Sequence, residues 1–277
     1  MGQLYSCCVT EICPGEEPPT PELLIALAPY AEAVDELRAA KDSAAACSAC
    51  ERLGDLVLER EPGAGHPDDH HSINPHKVAL AVEADGVDAV LDALRDHHSS
   101  TDMNQMAFVT LDSFVRCSAT TRPGAASFVR HDGVKLLLAG MAEHPEAAVQ
   151  EWGCGLIIHL AENFDPGQKR KLAKGGAVVK AVTSALRAHS QSTGMANEDA
   201  AERVVSTAVS ALTTLLHQCP ATGKAVTAEG ALDLARGALA TFKTHALLES
   251  LRSAVEALEK AQRQCTQQGG KSPRSPA

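Results

Sequence analysis

One sequence motif recurs along this chain and constrains its fold more than any other feature. It consists of a proline, an aliphatic residue six positions later, a glycine ten positions later and a small apolar residue directly after the glycine. The three complete copies are Pro123, Val129, Gly133, Val134; Pro166, Leu172, Gly176, Ala177; and Pro220, Val226, Gly230, Ala231. A fourth copy keeps Val82, Gly86 and Val87, with Pro75 one position early. The four glycines lie about 43 to 54 residues apart, a period that is typical of stacked helical repeats.

The residues around each glycine predict three helices in every repeat. Proline suits the first turn of a helix, and glycine lets the chain turn sharply before the next one. Apolar residues then follow at helical spacing, and a longer helix comes after them. The clearest instances of the second and third helices are Val134, Leu137, Leu138, Met141 and Trp152, Leu156, Ile157, Leu160. The sequence therefore predicts an all-α protein.

Charge and cysteine usage restrict the partners and the compartment. The net charge of −10 argues against binding to nucleic acid, which needs clustered basic residues, and favours a peptide or helix of basic character as the partner. Nine cysteines, an odd number, lie mostly within helical patterns, which is typical of a reducing compartment. We expect a cytoplasmic protein.

The remaining segments are assigned around these repeats. Residues 20–263 form the repeat domain, residues 60–76 and 189–199 are inserted surface loops, and residues 264–277 are a disordered tail. An N-terminal unit without the glycine motif precedes the repeats. Its first helix begins at Pro21 with Thr20 as N-cap, its second begins at Pro29, and its third extends from Ser43 to Leu58.

Two segments carry a family resemblance. GVKLLLAGM (133–141) and WGCGLIIHLA (152–161) resemble the second and third helices of an armadillo repeat. The resemblance implies a right-handed superhelical solenoid of about four to five three-helix repeats. It also implies that the third helices line a groove in which a partner protein binds, and that the protein is not an enzyme and needs no cofactor.

The same resemblance locates candidate groove residues. Armadillo proteins place a ladder of asparagines in the groove, and the matching positions here are Asp55, Ser113, His159, Thr214 and Lys260. None is asparagine, which argues against importin-like or catenin-like peptide binding. Ser113, His159 and Thr214 are the groove candidates, together with Trp152, which lies two helical turns before His159. Trp152 and His159 form an aromatic contact patch if exposed; the alternative is that Trp152 fills a gap between repeats.

The N-terminus carries a pattern for lipid attachment. Residues 1–6, MGQLYS, fit the M-G-x-x-x-[ST] pattern for myristoylation of Gly2. One myristoyl chain gives only marginal membrane binding, so the adjacent Cys7 and Cys8 are predicted as palmitoylation sites. Residues 1–19 are then an acylated flexible leader that holds the protein peripherally on a cytoplasmic membrane face. This architecture resembles the acylated membrane scaffolds that consist only of armadillo repeats.

Three functions remain open at this stage. The leading hypothesis is a membrane-tethered scaffold for protein–protein interaction, without catalysis. The alternative is a soluble binding or regulatory subunit whose leader is unmodified. The third is a metal-dependent enzyme that uses the loop from His66 to His76. This loop contains the ligand types of a zinc site, but no helical or strand spacing fixes their geometry, so no metal site is predicted.

Overall fold

The protein is helical throughout nearly all of the chain that the structure describes. The structure, a computed structural model, describes residues 20–59, 72–116, 121–190 and 198–269. The exception to the helices is one short antiparallel pair, β1 (Leu58–Glu59) with β2 (Ser72–Ile73), in which Leu58 lies opposite Ile73. The predicted all-α class is confirmed at this level.

The described residues form a succession of α-helices along the chain. Two 3₁₀ turns, Lys174–Gly176 and Pro220–Thr222, precede α10 and α12. The helices are α1 (Pro21–Ala39), α2 (Ser43–Val57), α3 (Pro75–Glu83), α4 (Gly86–Asp96), α5 (Thr101–Arg116), α6 (Thr121–Arg130), α7 (Gly133–Glu143), α8 (Ala147–Asn163), α9 (Pro166–Ala173), α10 (Ala177–His189), α11 (Glu198–Gln218), α12 (Gly223–Ala228), α13 (Ala231–Thr241) and α14 (His245–Gly269).

Two sets of helices pack in the order of the chain. In the first set, which we call the long row, α2 contacts α5, α5 contacts α8, α8 contacts α11, and α11 contacts α14. In the second row, α1, α4, α7, α10 and α13 contact one another in the same order. The buried apolar residues of both rows form one continuous cluster from Tyr30 to Leu258. In both rows, each helix therefore contacts the helix that lies three positions later in the chain.

The recurring proline occupies the first turn of a helix in each copy. Pro75 and Pro166 are the first residues of α3 and α9, and Pro220 opens a 3₁₀ turn. Ahead of Pro75, the side chain of Asn74 accepts hydrogen bonds from the backbone of His76 and Lys77. Pro123 differs slightly, because it is the third residue of α6.

The recurring glycine has two different roles. Gly176 and Gly230 themselves adopt the left-handed conformation, with φ of 70°, which glycine reaches without steric cost. At the other two copies the left-handed residue is the preceding aspartate, Asp85 or Asp132. Gly86 and Gly133 instead allow a close approach of two helices, because a Cβ atom at either position would lie 2.7 Å from a backbone oxygen of the preceding helix.

The N-terminal unit differs from its prediction. The predicted start at Pro21 with Thr20 as N-cap is confirmed, since the Thr20 hydroxyl accepts a hydrogen bond from the Leu23 backbone N–H. The prediction that Pro29 begins a second helix is wrong, because Pro29 lies inside the continuous helix α1. The partly buried Leu23 and Leu27 before Pro29 and the buried Tyr30 and Val34 after it keep one helical register, so packing of that face holds the helix together across the proline.

Three predicted loop and tail boundaries are also wrong. Residues 72–76 are not loop, because β2 and the start of α3 lie there. Glu198 and Asp199 belong to the first turn of α11, where acidic side chains are favoured by the helix dipole. Helix α14 continues through residues 264–269, which are rich in glutamine, a good helix former. Residues 1–19, 60–71, 191–197 and 270–277 lie outside the described residues.

Candidate partner-binding surface

The centre of the long row is α8, which packs between α5 and α11. One side of α8 is fully buried, since Leu156, Ile157 and Leu160 are 0 % exposed. The opposite side keeps a stripe of partly accessible residues at helical spacing. From the N-terminal end this stripe comprises Ala148, Trp152, Gly155, His159 and Glu162.

Polar pairs join α8 to both neighbouring helices. On the α5 side, Nε of Arg116 donates to Nε2 of His159 at 3.3 Å. On the α11 side, Nε of Arg203 donates to the Glu151 carboxylate at 3.0 Å. The accessible sides of α5, α8 and α11 therefore adjoin one another, and we call them together the long-row surface.

The four predicted groove residues differ in their accessibility. Trp152, His159 and Thr214 are all half-buried, with Trp152 and His159 on the α8 stripe and Thr214 on α11. Ser113 does not belong to the surface: it is 9 % exposed, and its hydroxyl donates to the Val109 carbonyl of its own helix at 3.1 Å. The Ser113 side chain is therefore almost inaccessible to a partner in the groove.

Trp152 combines the two alternatives that the sequence leaves open. Its indole packs against the central apolar cluster, as a side chain that fills a gap between helices would. It also stays partly accessible on the same stripe as His159. Trp152 is therefore both part of the packing against the core and partly accessible on the α8 stripe.

Asp112 on α5 is a polar residue of this region that sequence reasoning did not identify. It is 3 % exposed, and its atom Oδ1 has no hydrogen-bond donor among the described residues. The nearest basic side chains are His159, whose Nε2 lies 3.7 Å from Oδ1, and Arg116, whose Nε lies 3.8 Å from Oδ2. Leaving a buried polar atom without a partner costs on the order of 1–3 kcal/mol, and more for a charged group.

The environment of Asp112 sets the direction of its titration. Burial raises the pKa of the carboxyl above its ordinary value, because the charged form loses its hydration. His159 and Arg116 lower the pKa and offset part of this effect. The carboxylate is therefore destabilised by burial and only partly compensated by its neighbours.

His159 contacts both Arg116 and Glu162. Nε of Arg116 donates to Nε2 of His159, and Nδ1 of His159 lies 3.4 Å from the Glu162 carboxylate. The only sequence signal for this cluster is the four-residue spacing of Asp112 and Arg116, which places both on one face of α5.

The other chemical candidates gain no support in the described part of the chain. No group of three metal-ligating side chains occurs among the described residues. Of the His66 to His76 loop, only residues from 72 onward are described, and His76 is exposed in the first turn of α3. Cys154 is buried, which raises its thiol pKa to about 12 and keeps it protonated.

The predicted lipidation sites Gly2, Cys7 and Cys8 lie outside the described residues. Within the ranges that the structure covers, no helix is both long and apolar enough to cross a bilayer.

No protein-family model matches the chain, and no curated protein matches it.

Proposed function

We propose that this chain is a non-enzymatic scaffold that binds another protein along the long-row surface. The observation that carries the proposal is the packing of α2, α5, α8, α11 and α14 in chain order. Helical solenoids stack their repeats in this way and use the resulting extended surface for binding. The finer architecture is an armadillo-like right-handed solenoid of four to five three-helix repeats.

The partner is a protein segment of basic character. The net charge of −10 attracts a basic segment and repels nucleic acid. Accessible carboxylates are present on several helices of the long row, including Glu51 on α2, Asp102 on α5 and Glu162 on α8. An extended or helical peptide of positive charge would meet such groups along much of its length.

The leader holds the scaffold on a cytoplasmic membrane face. The support for this part is the sequence pattern at Gly2 and the cysteine pair Cys7 and Cys8. A myristoyl chain alone binds reversibly, and a second acyl chain makes attachment stable. The alternative, a soluble binding subunit, differs only in having an unmodified leader.

Site-specific photo-crosslinking tests the binding surface. A photoreactive amino acid is placed at Thr207 or Thr214, which are half-buried on α11, and at Ala139, which is exposed on α7 outside the long row. We expect both α11 positions to crosslink to the same protein in the native cell and Ala139 to give no such product. Absence of this product at both threonines, or the same product from Ala139, would contradict the proposal.

Membrane partition tests the leader. The full chain is expressed as the native sequence, as Gly2→Ala and as Cys7→Ser/Cys8→Ser, and the membrane-bound fraction is measured. We expect loss of membrane binding in both variants. Retention of both variants on membranes would rule out acylation as the anchor. A fully soluble native chain with unmodified Gly2, Cys7 and Cys8 in its intact mass would select the soluble alternative.

A further inference from the structure

One stretch of this acidic chain contains basic residues and no acidic ones. From residue 166 to residue 197 the sequence has no Asp or Glu, although the whole chain contains 35 of them and has a net charge of −10. The basic residues of this stretch are Lys169, Arg170, Lys171, Lys174, Lys180 and Arg187. The first four lie in α9 and in the 3₁₀ turn that follows it, and these two elements belong to neither row of helices. Positive charge is therefore concentrated on a short segment outside the long row.

The fold brings three of these side chains together. Arg170, Lys171 and Lys174 are exposed and line the same open depression, of about 450 Å³, along α9. The turn that contains Lys174 also contacts α12, on which Lys224 is exposed. We call Arg170, Lys171, Lys174 and Lys224 the basic patch.

Little of this charge is neutralised by the protein itself. Among the residues that the structure describes, none of the four patch side chains forms an ion pair with a carboxylate. The acidic residue that lines the depression is Asp165, and its Oδ1 accepts hydrogen bonds from the backbone N–H groups of Gly167 and Gln168, at 2.6 and 2.8 Å. Lysine and arginine stay protonated at neutral pH, so the surplus of positive charge does not depend on any titration.

The residue types of the basic patch favour a bilayer surface as its partner. Three of the four are lysines, whose flexible ammonium groups impose no fixed geometry and suit a fluid layer of lipid headgroups. Clusters of about four or more basic residues on a helical surface are typical of binding to anionic lipids, and each residue strengthens binding about fivefold. Sites for single-stranded nucleic acid stack the bases on aromatic rings, and no described aromatic side chain lines the depression.

The negative net charge of the chain is compatible with such docking. At physiological salt, charges are screened beyond about 8 Å, so an approaching bilayer interacts mainly with the residues that face it. A protein of net charge −10 is repelled by an anionic membrane in most orientations and attracted in the one that presents the basic patch. The patch would thus select which side of the protein faces the membrane.

We propose that the basic patch docks on the anionic surface of a lipid bilayer. This inference rests on the proposed membrane attachment and adds a second contact to it. Residues 1–19 contain no Lys or Arg, so the leader has no positive charge to add to its acyl chains. One acyl chain binds a membrane only marginally, and a basic surface is one of the signals that make attachment stable. The basic patch supplies this charge from α9 and α12.

Vesicle binding tests the basic patch without the lipids of the leader. The full chain is produced unacylated in bacteria, and sedimentation measures its partition onto vesicles of phosphatidylcholine or of an equal mixture of phosphatidylcholine and phosphatidylserine. We expect binding to the mixed vesicles to be about tenfold or more stronger and to weaken as salt is added. Equal binding to both kinds of vesicle would overturn the proposal.

Charge reversal identifies the residues that carry the binding. Lys171→Glu/Lys174→Glu should weaken binding to the mixed vesicles about tenfold or more. The matched control is Lys41→Glu/Lys135→Glu, which makes the same change in net charge at two exposed lysines between α1 and α2 and on α7, and should weaken binding less than about threefold. Equal weakening by the two pairs would refute the patch; if the first pair does not fold, Lys171→Gln/Lys174→Gln decides.

Photo-crosslinking to lipid and binding to an acidic polymer provide a second check. A photoreactive amino acid at Ala177, exposed directly after the 3₁₀ turn, should form an adduct with phosphatidylserine, and one at Ala139 on α7 should not. Equal adducts at both positions would contradict docking through the patch. Polyglutamate that binds through Lys171 and Lys174, without a preference of the chain for anionic vesicles, would assign the patch to an acidic protein and make the bilayer proposal wrong.

The membrane-partition experiment separates failure of the patch from failure of the acylated anchor. If Gly2→Ala leaves the membrane but the unacylated chain does not prefer anionic vesicles, the patch is wrong and the anchor stands. If the vesicles bind as expected but the Gly2 and cysteine variants stay on membranes, the patch stands and the acylated anchor is wrong.

Discussion

At the scale of single residues, the connection between α6 and α7 leaves no room for even one methyl group at Gly133. A Cβ atom there would lie 2.7 Å from the Phe128 carbonyl oxygen and 2.8 Å from two atoms of its ring. Asp132 takes the left-handed conformation just before it, with φ of 57°. The glycine in this copy of the motif is therefore required by close packing and not by its own backbone angles.

We expect Gly133→Ala to destabilise the protein by about 1–3 kcal/mol, because the added methyl must displace a backbone carbonyl or a buried ring. Gly237→Ala is the matched control, since it lies exposed within α13 with open space around it. It should stabilise the protein by about 0.5–1 kcal/mol through better helix propensity. Urea unfolding followed by circular dichroism measures both. An unchanged midpoint for Gly133→Ala would contradict the close approach of α6 and α7.

Asp112 is a second residue whose environment has a measurable consequence. Because burial raises its pKa in the folded protein above the value of 3.8 for an exposed aspartate, the folded chain holds this proton more tightly than the unfolded chain. Between the two pKa values the unfolded state binds fewer protons, so stability falls as the pH rises. The carboxyl therefore favours folding most at low pH, and this contribution is lost as the pH passes through the raised pKa.

The variant Asp112→Asn should follow this dependence. Relative to the native residue, asparagine should become progressively more stabilising as the pH is raised above the ordinary aspartate pKa of 3.8. Unfolding free energies of both chains are compared in a His159→Gln background, which removes titration of the adjacent imidazole. A difference that does not vary with pH, or that varies in the opposite direction, would show that Asp112 is not desolvated as described.

At the scale of elements, α1 shows how a buried face overrides a local signal. Pro29 lacks a backbone N–H and is disfavoured within a helix, and this local rule predicts a helix start there. The buried residues Tyr30, Val34 and Leu37 continue the register of Leu23 and Leu27, however, so one uninterrupted helix buries the whole stripe. The carbonyl of Ile25, four residues before Pro29, loses its usual helical donor.

Removing this proline should stabilise the protein. We expect Pro29→Ala to raise the free energy of unfolding by up to about 3 kcal/mol, because Pro29 is exposed and alanine restores the missing hydrogen bond. Pro21→Ala is the matched control: at the first position of α1 the missing N–H has no helical acceptor, so the change should be within about 0.5 kcal/mol. Thermal and urea unfolding distinguish them. Destabilisation by Pro29→Ala would indicate that α1 is broken at this residue.

Helical periodicity predicted the second and third helices of each group because their buried stripes are long and regular. The same register placed Trp152 and His159 on one face of α8. Asp112 could not be predicted in this way, because its burial depends on how α5 packs against α8 and not on any pattern within α5. The boundary of the 60–76 loop is wrong for a different reason: Asn74 and Pro75 form a cap and a first turn at the end of a segment that is otherwise polar.

At the scale of the whole molecule, the order of helix contacts predicts how far a local loss of stability spreads along the chain. Each helix of the long row contacts its neighbours in that row. In such a linear arrangement, stability is a sum of local terms and of interfaces between neighbours. A terminal unit can then open while the centre stays folded, whereas a central unit supports both sides.

Two cavity variants test this expectation. Leu258 lies in the terminal helix α14 and is 2 % exposed, and Leu156 lies in the central helix α8 and is 0 % exposed. Each leucine-to-alanine change should cost about 2–5 kcal/mol at its own site. Under native conditions, hydrogen exchange in Leu258→Ala should accelerate in α13 and α14 while α5 and α8 keep their protection. In Leu156→Ala, protection should fall in α5, α8 and α11 together. Equal loss throughout the chain in both variants would mean that the helices unfold as one unit, and would contradict an array of repeats.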